Sequence, residues 1–360
     1  MPPVSLLIKP SSSLCNMRCK YCFYSDVSDI RDIKSYGMMS KETADRLITK
    51  ALAFADSSPV CFAFQGGEPT LSGIDFFKHF VKTVNEKNKK GSKIFYGMQT
   101  NGLLIDEKWA NFFHDNNFLV GLSLDGNEKF NSFRVDKDEK STFDRVLKSA
   151  QILKDNKVEF NILSVLTGRS AENITEIYSF FKNQGFKYLQ FIPCLRPFGD
   201  KSENEKYMTV KQYEYFLNTL FKLYAEDYIS GNYISIRQFD NWVQMFRGNK
   251  PEQCGMLGHC TFQFVAEGNG NIYPCDFYCI DEWLLGNIND DECTFEDMIK
   301  SEKMMSFIKE SMVVDEKCKR CRYYPLCRCE GCKRNRADRS YCEAYKSFFE
   351  NNLPLFRAFI

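Results

Sequence analysis

Histidine is scarce in this chain: His79, His114 and His259 are the only three in 360 residues. The first two fall in stretches that read as surface helices, so a structural zinc site completed by imidazole has little to draw on. Charge of one sign is missing too. The formal net charge is +1, which provides no global field for nucleic acid or for an anionic membrane. No apolar run approaches the roughly 18 residues of a membrane-spanning helix. The opening MPPVSLLIKP has neither a charged leader region nor a cleavage site. The expected compartment is the cytosol. Cysteine itself is nearly absent between residues 23 and 253, where only Cys61 and Cys194 occur.

That gap matters because the chain holds 16 cysteines. A disulfide framework would not leave so long a segment almost bare. In a large cytosolic chain the pattern points to metal or redox chemistry instead. Cys15, Cys19 and Cys22 form one group, spaced C-x-x-x-C-x-x-C. Cys318, Cys321, Cys327, Cys329, Cys332 and Cys342 form a second, and Cys254, Cys260 and Cys275 lie between.

The first two-thirds alternate apolar strand-like runs with amphipathic helical ones. SLLIKP (5–10), CFAFQ (61–65), KIFYGMQ (93–99), FLVGLSLDG (118–126), VEFNILSVL (158–166) and KYLQFIPC (187–194) read as strands. Ser40 caps a predicted helix running to Ala55, with Ala44, Leu47, Ile48, Ala51, Leu52 and Ala55 on one face. Ile174, Ile177, Tyr178 and Phe181 mark another, which Gly185 ends. Six such units predict an α/β fold, a partial (β/α)6 barrel over residues 1–230. Ligands in such folds sit at the carboxyl ends of the strands. The polar tips CNMRCKYC, QGGEPT, QTNG, SLDG and PCLRP all fall there. Past about residue 230 come Gly and Cys turns and short strands within HCTFQFVAEG and GNIYPCDFY. Residues 231–360 thus read as a smaller domain held by metal.

Two chemistries suit the three-cysteine loop. One is a structural zinc ion with a remote fourth ligand. The other is a four-iron, four-sulfur cluster with three irons held by thiolate and the fourth open to a small molecule. Together with Cys254, Cys260 and Cys275, the cysteines of 318–342 offer thiolates for two further four-ligand sites, again of zinc or iron–sulfur type.

C-x-x-x-C-x-aromatic-C after a first strand resembles the radical S-adenosylmethionine (AdoMet) enzymes. In that family AdoMet fills the vacant iron position, and an electron from the cluster cleaves it to a 5′-deoxyadenosyl radical. The resemblance extends to Gly66-Gly67-Glu68-Pro69-Thr70, which implies the site of the AdoMet amino group. It places Tyr21 beside the adenine, Ser123 at the ribose, Arg134 at the carboxylate and Leu195 near the adenine. The C-terminal part resembles the SPASM domain, which carries two auxiliary clusters, so three [4Fe–4S] clusters are implied. By that resemblance Cys254, Cys260, Cys275 and Cys332 hold the first auxiliary cluster. Cys318, Cys321, Cys327 and Cys342 hold the second. The family usually leaves three residues between the cysteines matching Cys327 and Cys332. Here four intervene, Cys329 among them, so Cys329 competes with Cys332 for the ligand role. Cys61 and Cys194 read as core residues.

SLLIKPSSSLCNMRCKYCFY, FAFQGGEPTL and YPCDFY narrow the resemblance to the anaerobic sulfatase-maturating enzymes. Those oxidise a cysteine or serine in a C/S-x-P-x-R segment of an unfolded sulfatase chain to Cα-formylglycine. Asp276 matches the family's general base; burial beside a cluster on Cys275 is expected to raise its proton affinity. Tyr24, Gln65 and Gln99 are expected to touch the substrate backbone. An electron donor such as flavodoxin or ferredoxin is implied, with no nucleic-acid or membrane partner. Two alternatives stand beside this reading. One is a related SPASM enzyme that crosslinks a ribosomal peptide, although such enzymes usually carry an N-terminal recognition domain and here the first strand starts by residue 5. The other is a zinc-stabilised scaffold without catalysis.

Overall fold

The structure is a computed structural model that describes residues 3–338 and 340–359. Its strands are β1 (Val4–Ile8), β2 (Val60–Phe64), β3 (Ile94–Thr100), β4 (Phe118–Ser123), β5 (Phe160–Leu166), β6 (Tyr188–Pro193), β7 (Ser235–Ile236), β8 (Phe264–Ala266), β9 (Asn271–Tyr273) and β10 (Gly286–Asn287). The chain divides into two compact units that interleave along the sequence. One comprises Met1–Ser123, Arg134–Phe160 and Phe262–Phe307. The other comprises Leu124–Phe133, Asn161–Thr261 and Ile308–Ile360. Among the described residues no helix is long and apolar enough to cross a membrane.

In the first unit the strand order is β10-β9-β8-β1-β2-β3-β4. Strands β8 and β1 to β4 run parallel, and β9 and β10 turn back antiparallel. Phe62 and Phe64 of β2 are fully buried and meet Phe77 and Phe80 of the helix Ile74–Lys87 edge to face. The helix Lys41–Ala55 begins where expected, with the Ser40 hydroxyl accepting from the Thr43 amide at 3.1 Å. Its six predicted face residues are all buried.

One feature departs from the expected layout. The short strands of HCTFQFVAEG and GNIYPCDFY join the sheet of β1, with Leu6 opposite Phe264 and Ile8 opposite Ala266. The Lys9 amide continues the ladder by donating to Ala266 O at 2.8 Å. The reason is backbone accounting: β1 is buried, and its second edge needs partners for its amides and carbonyls.

In the second unit β5, β6 and β7 are parallel neighbours. The helix Val210–Ile229 opens on a capping box between Thr209 and Gln212. It packs against the last long helix, Cys342–Phe356, through Phe221, Phe348 and Phe356.

Candidate active site and cluster ligands

The cysteine loop of the first unit is stitched to the glycine loop after β2. The Gly67 amide donates to Ser12 O and the Glu68 amide to Leu14 O, both at 2.8 Å. A Cβ on Gly67 would lie 2.0 Å from Leu14 O, so only glycine permits this approach. Gly66 takes φ +120° and passes over the Lys9 side chain. On the other flank the Arg18 amide donates to Val135 O at 2.8 Å, which brings the Arg134 segment alongside. The guanidinium of Arg134 lies 5.6 Å from the Tyr21 ring centre and acts electrostatically on Cys22.

Cys15, Cys19 and Cys22 converge, with Cys19 and Cys22 both bearing electrostatically on Cys15. Desolvation by the surrounding loop pushes the thiol of the exposed Cys15 up to about 12 and raises that of Cys22, which the nearby amides of Ser25 and Tyr24 oppose. A loop that gathers three thiols, of which Cys15 and Cys22 are costly to ionise, suits a metal centre, which replaces their protons and neutralises the thiolates.

Four donors converge on Glu68. Thr70 N, Thr70 Oγ1 and Thr100 Oγ1 reach Oε1, and Asn101 N reaches Oε2. Burial pushes its pKa up, and these donors oppose the shift. The carboxylate is therefore engaged in organising the loop, while the glycine carbonyls offer acceptors for an ammonium. Asn101 also donates to the Cys15 sulfur at 3.7 Å, tying the glutamate to the cysteine loop. Gln99 donates to the Ser123 hydroxyl at 3.0 Å, and Gly121 leaves the room that the glutamine occupies.

Asp276 follows Cys275 on a 3-10 turn. Gln65 donates to its Oδ2 at 3.0 Å, and the ammonium of Lys9 pairs with its Oδ1. The carboxylate is not sealed off, being 16% exposed beside a lysine that is wholly buried. Burial opposes the charge on Lys9, but Asp276, Cys279 and Glu267 outweigh it, so its pKa is raised. The ammonium also sits 3.4 Å from the centre of the Tyr24 ring. Behind it, the fully buried Glu267 accepts from the Tyr24 hydroxyl, from Arg31 at 2.8 Å and from Ser12 at 2.9 Å.

The sequence reading did not single out Lys9, Arg31, Glu267 or Asn101. The available signals were a lysine inside the apolar SLLIKP and a glutamate closing the apolar FQFVA. Because Arg31 and Glu267 are both buried, breaking their pair strands a charge. Glu267→Gln is expected to cost about 3 kcal/mol of stability, read as a lower midpoint of anaerobic denaturant unfolding.

The second unit holds the remaining predicted ligands except Cys275. Cys318, Cys321, Cys327 and Cys342 line one pocket, and Cys329 lines it with them. Burial pushes Cys318 and Cys327 up to about 12. Cys332 points elsewhere, toward Cys260 and the Cys254–Met256 turn. Gly331 makes this possible, since a Cβ there would lie 1.6 Å from Gly255 O. Leu195, 7% exposed, follows β6 in the same unit, and Cys194 beside it is a core residue as expected.

The radical SAM superfamily model matches residues 10–181, and that of the SPASM iron–sulfur cluster-binding domain matches residues 242–322. The chain is 45% identical to the cysteine-type anaerobic sulfatase-maturating enzyme of Clostridium novyi, over 98% of this chain and 96% of that one. Among solved structures it is similar to native anSMEcpe with bound AdoMet (TM-score 0.94, 44% identity, 99% and 98% of the chains covered). It is also similar to anSMEcpe with bound AdoMet and Cp18Cys peptide (TM-score 0.91, 43% identity, 99% and 98% covered). Near-complete coverage at that identity, with the cysteine loop, the glycine loop and the SPASM thiols in place, shows that the chain belongs to the anaerobic sulfatase-maturating enzymes.

Proposed function

We propose that the protein oxidises the cysteine of a Cys-x-Pro-x-Arg segment in an unfolded sulfatase chain to Cα-formylglycine. The observation that carries this is the end-to-end similarity to a cysteine-type relative. The cofactors are AdoMet and three [4Fe–4S] clusters. The cluster on Cys15, Cys19 and Cys22, with AdoMet bound, supplies a hydrogen-abstracting adenosyl radical.

The chain's own residues do the rest. The carbonyls of Gly66 and Gly67, on a loop held by Glu68, would accept from the AdoMet ammonium, and Arg134 would pair with its carboxylate. Tyr21 would pack at the adenine and Ser123 would reach the ribose, and Leu195 matches the family's other adenine-binding position. Asp276 takes the substrate thiol proton, with Gln65 and Lys9 fixing its two oxygens. Gln65 and Gln99 lie at strand tips within reach of an extended peptide. Tyr24 was expected there too. It is 2% exposed and its hydroxyl is engaged by Glu267, so we place it behind Lys9 as a positioning residue. By the family resemblance Cys254, Cys260, Cys275 and Cys332 would be the ligands of one auxiliary cluster, and Cys318, Cys321, Cys327 and Cys342 those of the other. A functional boundary at residues 230/231 fits the two family matches, which fall on either side of it. The working compartment is the cytoplasm, and a flavodoxin- or ferredoxin-type protein supplies the electrons.

The test is anaerobic incubation of reconstituted protein with AdoMet, dithionite and either a Cys-x-Pro-x-Arg or a Ser-x-Pro-x-Arg peptide. Mass spectrometry is expected to show the CH2SH side chain replaced by CHO, together with 5′-deoxyadenosine. The serine peptide should react at least about tenfold more slowly. Deoxyadenosine with neither peptide changed would overturn the substrate assignment, and a crosslinked peptide would favour the second reading.

A further inference from the structure

Five thiols face the second auxiliary pocket where four suffice. Cys329 is 7% exposed and lines the pocket with Cys318, Cys321, Cys327 and Cys342. It lies close enough to Cys318 for the two thiols to bear on each other electrostatically.

An unusual turn puts it there. Arg328, Cys329, Glu330 and Gly331 all take positive φ, at 48°, 56°, 63° and 74°. Three non-glycine residues in succession in the left-handed region are strained, so their surroundings must enforce the path. They do. The Arg328 amide donates to Tyr324 O at 2.8 Å, the Gly331 amide to Arg328 O at 3.1 Å and the Glu330 amide to the Cys327 sulfur at 3.3 Å. The Glu330 carboxylate accepts from Ser340 Oγ at 2.6 Å and from the Tyr341 amide. The turn aims Cys329 into the pocket of Cys318 while Cys332 goes to Gly255. The extra residue between Cys327 and Cys332 is thus used to deliver a thiol.

Cys318 is the ligand in need of a substitute. It lies on a four-residue helix, Glu316–Lys319, with no side-chain cap, and it is part-exposed, whereas Cys329 is buried beneath it.

We propose that Cys329 is a standby ligand of the second auxiliary cluster, taking over the iron of Cys318 when that thiolate is lost. In the exchange one iron–sulfur bond to Cys318 breaks and one to Cys329 forms. The Cys329 proton passes to the released Cys318 sulfur, and no electron is transferred. This rests on the assignment of the pocket to a cluster.

The test uses full-length protein, purified and reconstituted without air, with iron and sulfide measured per chain and clusters counted by Mössbauer spectroscopy. Cys318→Ala and Cys329→Ala are each expected to keep all three clusters. The double variant is expected to lose one and still to make 5′-deoxyadenosine, which shows that the chain is folded. If Cys318→Ala alone loses a cluster, or if Cys329→Ala alone does, the standby role is overturned. Cys321→Ala separates that failure from failure of the underlying assignment. It should lose one cluster with Cys329 present, and if it loses none the pocket is not the cluster site.

Discussion

Replacing Cys22 by alanine is expected to abolish 5′-deoxyadenosine formation and to remove the iron of one cluster in three. The loop offers three thiols for three irons, and none of the other cysteines assigned to clusters belongs to it. Cys22 holds the N-cap position of the helix Phe23–Asp29, where the nearby amides of Ser25 and Tyr24 and the charge of Arg134 oppose the burial that raises its pKa. A serine in its place would suit the N-cap position but would not supply the soft donor that iron–sulfur chemistry requires. Cys22→Ser should therefore behave as Cys22→Ala. Iron analysis with quantified deoxyadenosine decides this, and a variant with full iron and continued cleavage would remove Cys22 from the ligand set.

Asp276→Asn is expected to leave deoxyadenosine formation intact while slowing aldehyde formation by about 10²–10⁴-fold, the range of a positioned general base. The two readouts separate because the AdoMet-facing residues share no side chain with Asp276, whereas the thiol proton has to go to a base. Asparagine keeps the shape and one acceptor, but it cannot take the proton. It also leaves the buried Lys9 ammonium without its carboxylate, and a broken buried pair costs about 3–5 kcal/mol. Lys9→Met/Asp276→Asn removes both charges and is expected to regain much of that stability with no return of aldehyde. Activity restored with stability would mean that Asp276 only fills space, and full aldehyde yield from Asp276→Asn would end its role as base.

The strands that carry the mouth of the site were legible because each is a short apolar run closed by a polar tip. Period and punctuation are local properties, and Phe62, Phe64 and the Ala44–Ala55 face obeyed them. The pairing of β8 with β1 was not legible. Residues 6 and 264 meet across most of the chain, and three-residue strands have too few positions for a period to show. The same distance hid the Lys9, Arg31 and Glu267 network. Each charge looks misplaced when read alone and makes sense only beside its partner. Expecting Asp276 to be a carboxylate near an anionic cluster was reasonable from YPCDFY, but the lysine that faces it comes from the other end of the sequence. Cys329 could be seen as an extra cysteine, yet its direction depends on a left-handed turn that nothing in RCEG beyond the glycine announces.

The hydrogen bonds from Gly67, Glu68 and Arg18 hold the cysteine loop on both flanks, and none of them involves a thiol. The loop is thus a mould set at the time of folding, and the ordering entropy of its backbone is settled before any iron arrives. Loss of the metal then strips the mould without collapsing it. A protein bleached by air should reload from iron, sulfide and reductant without passing through the unfolded state, much as a casting form can be emptied and filled again.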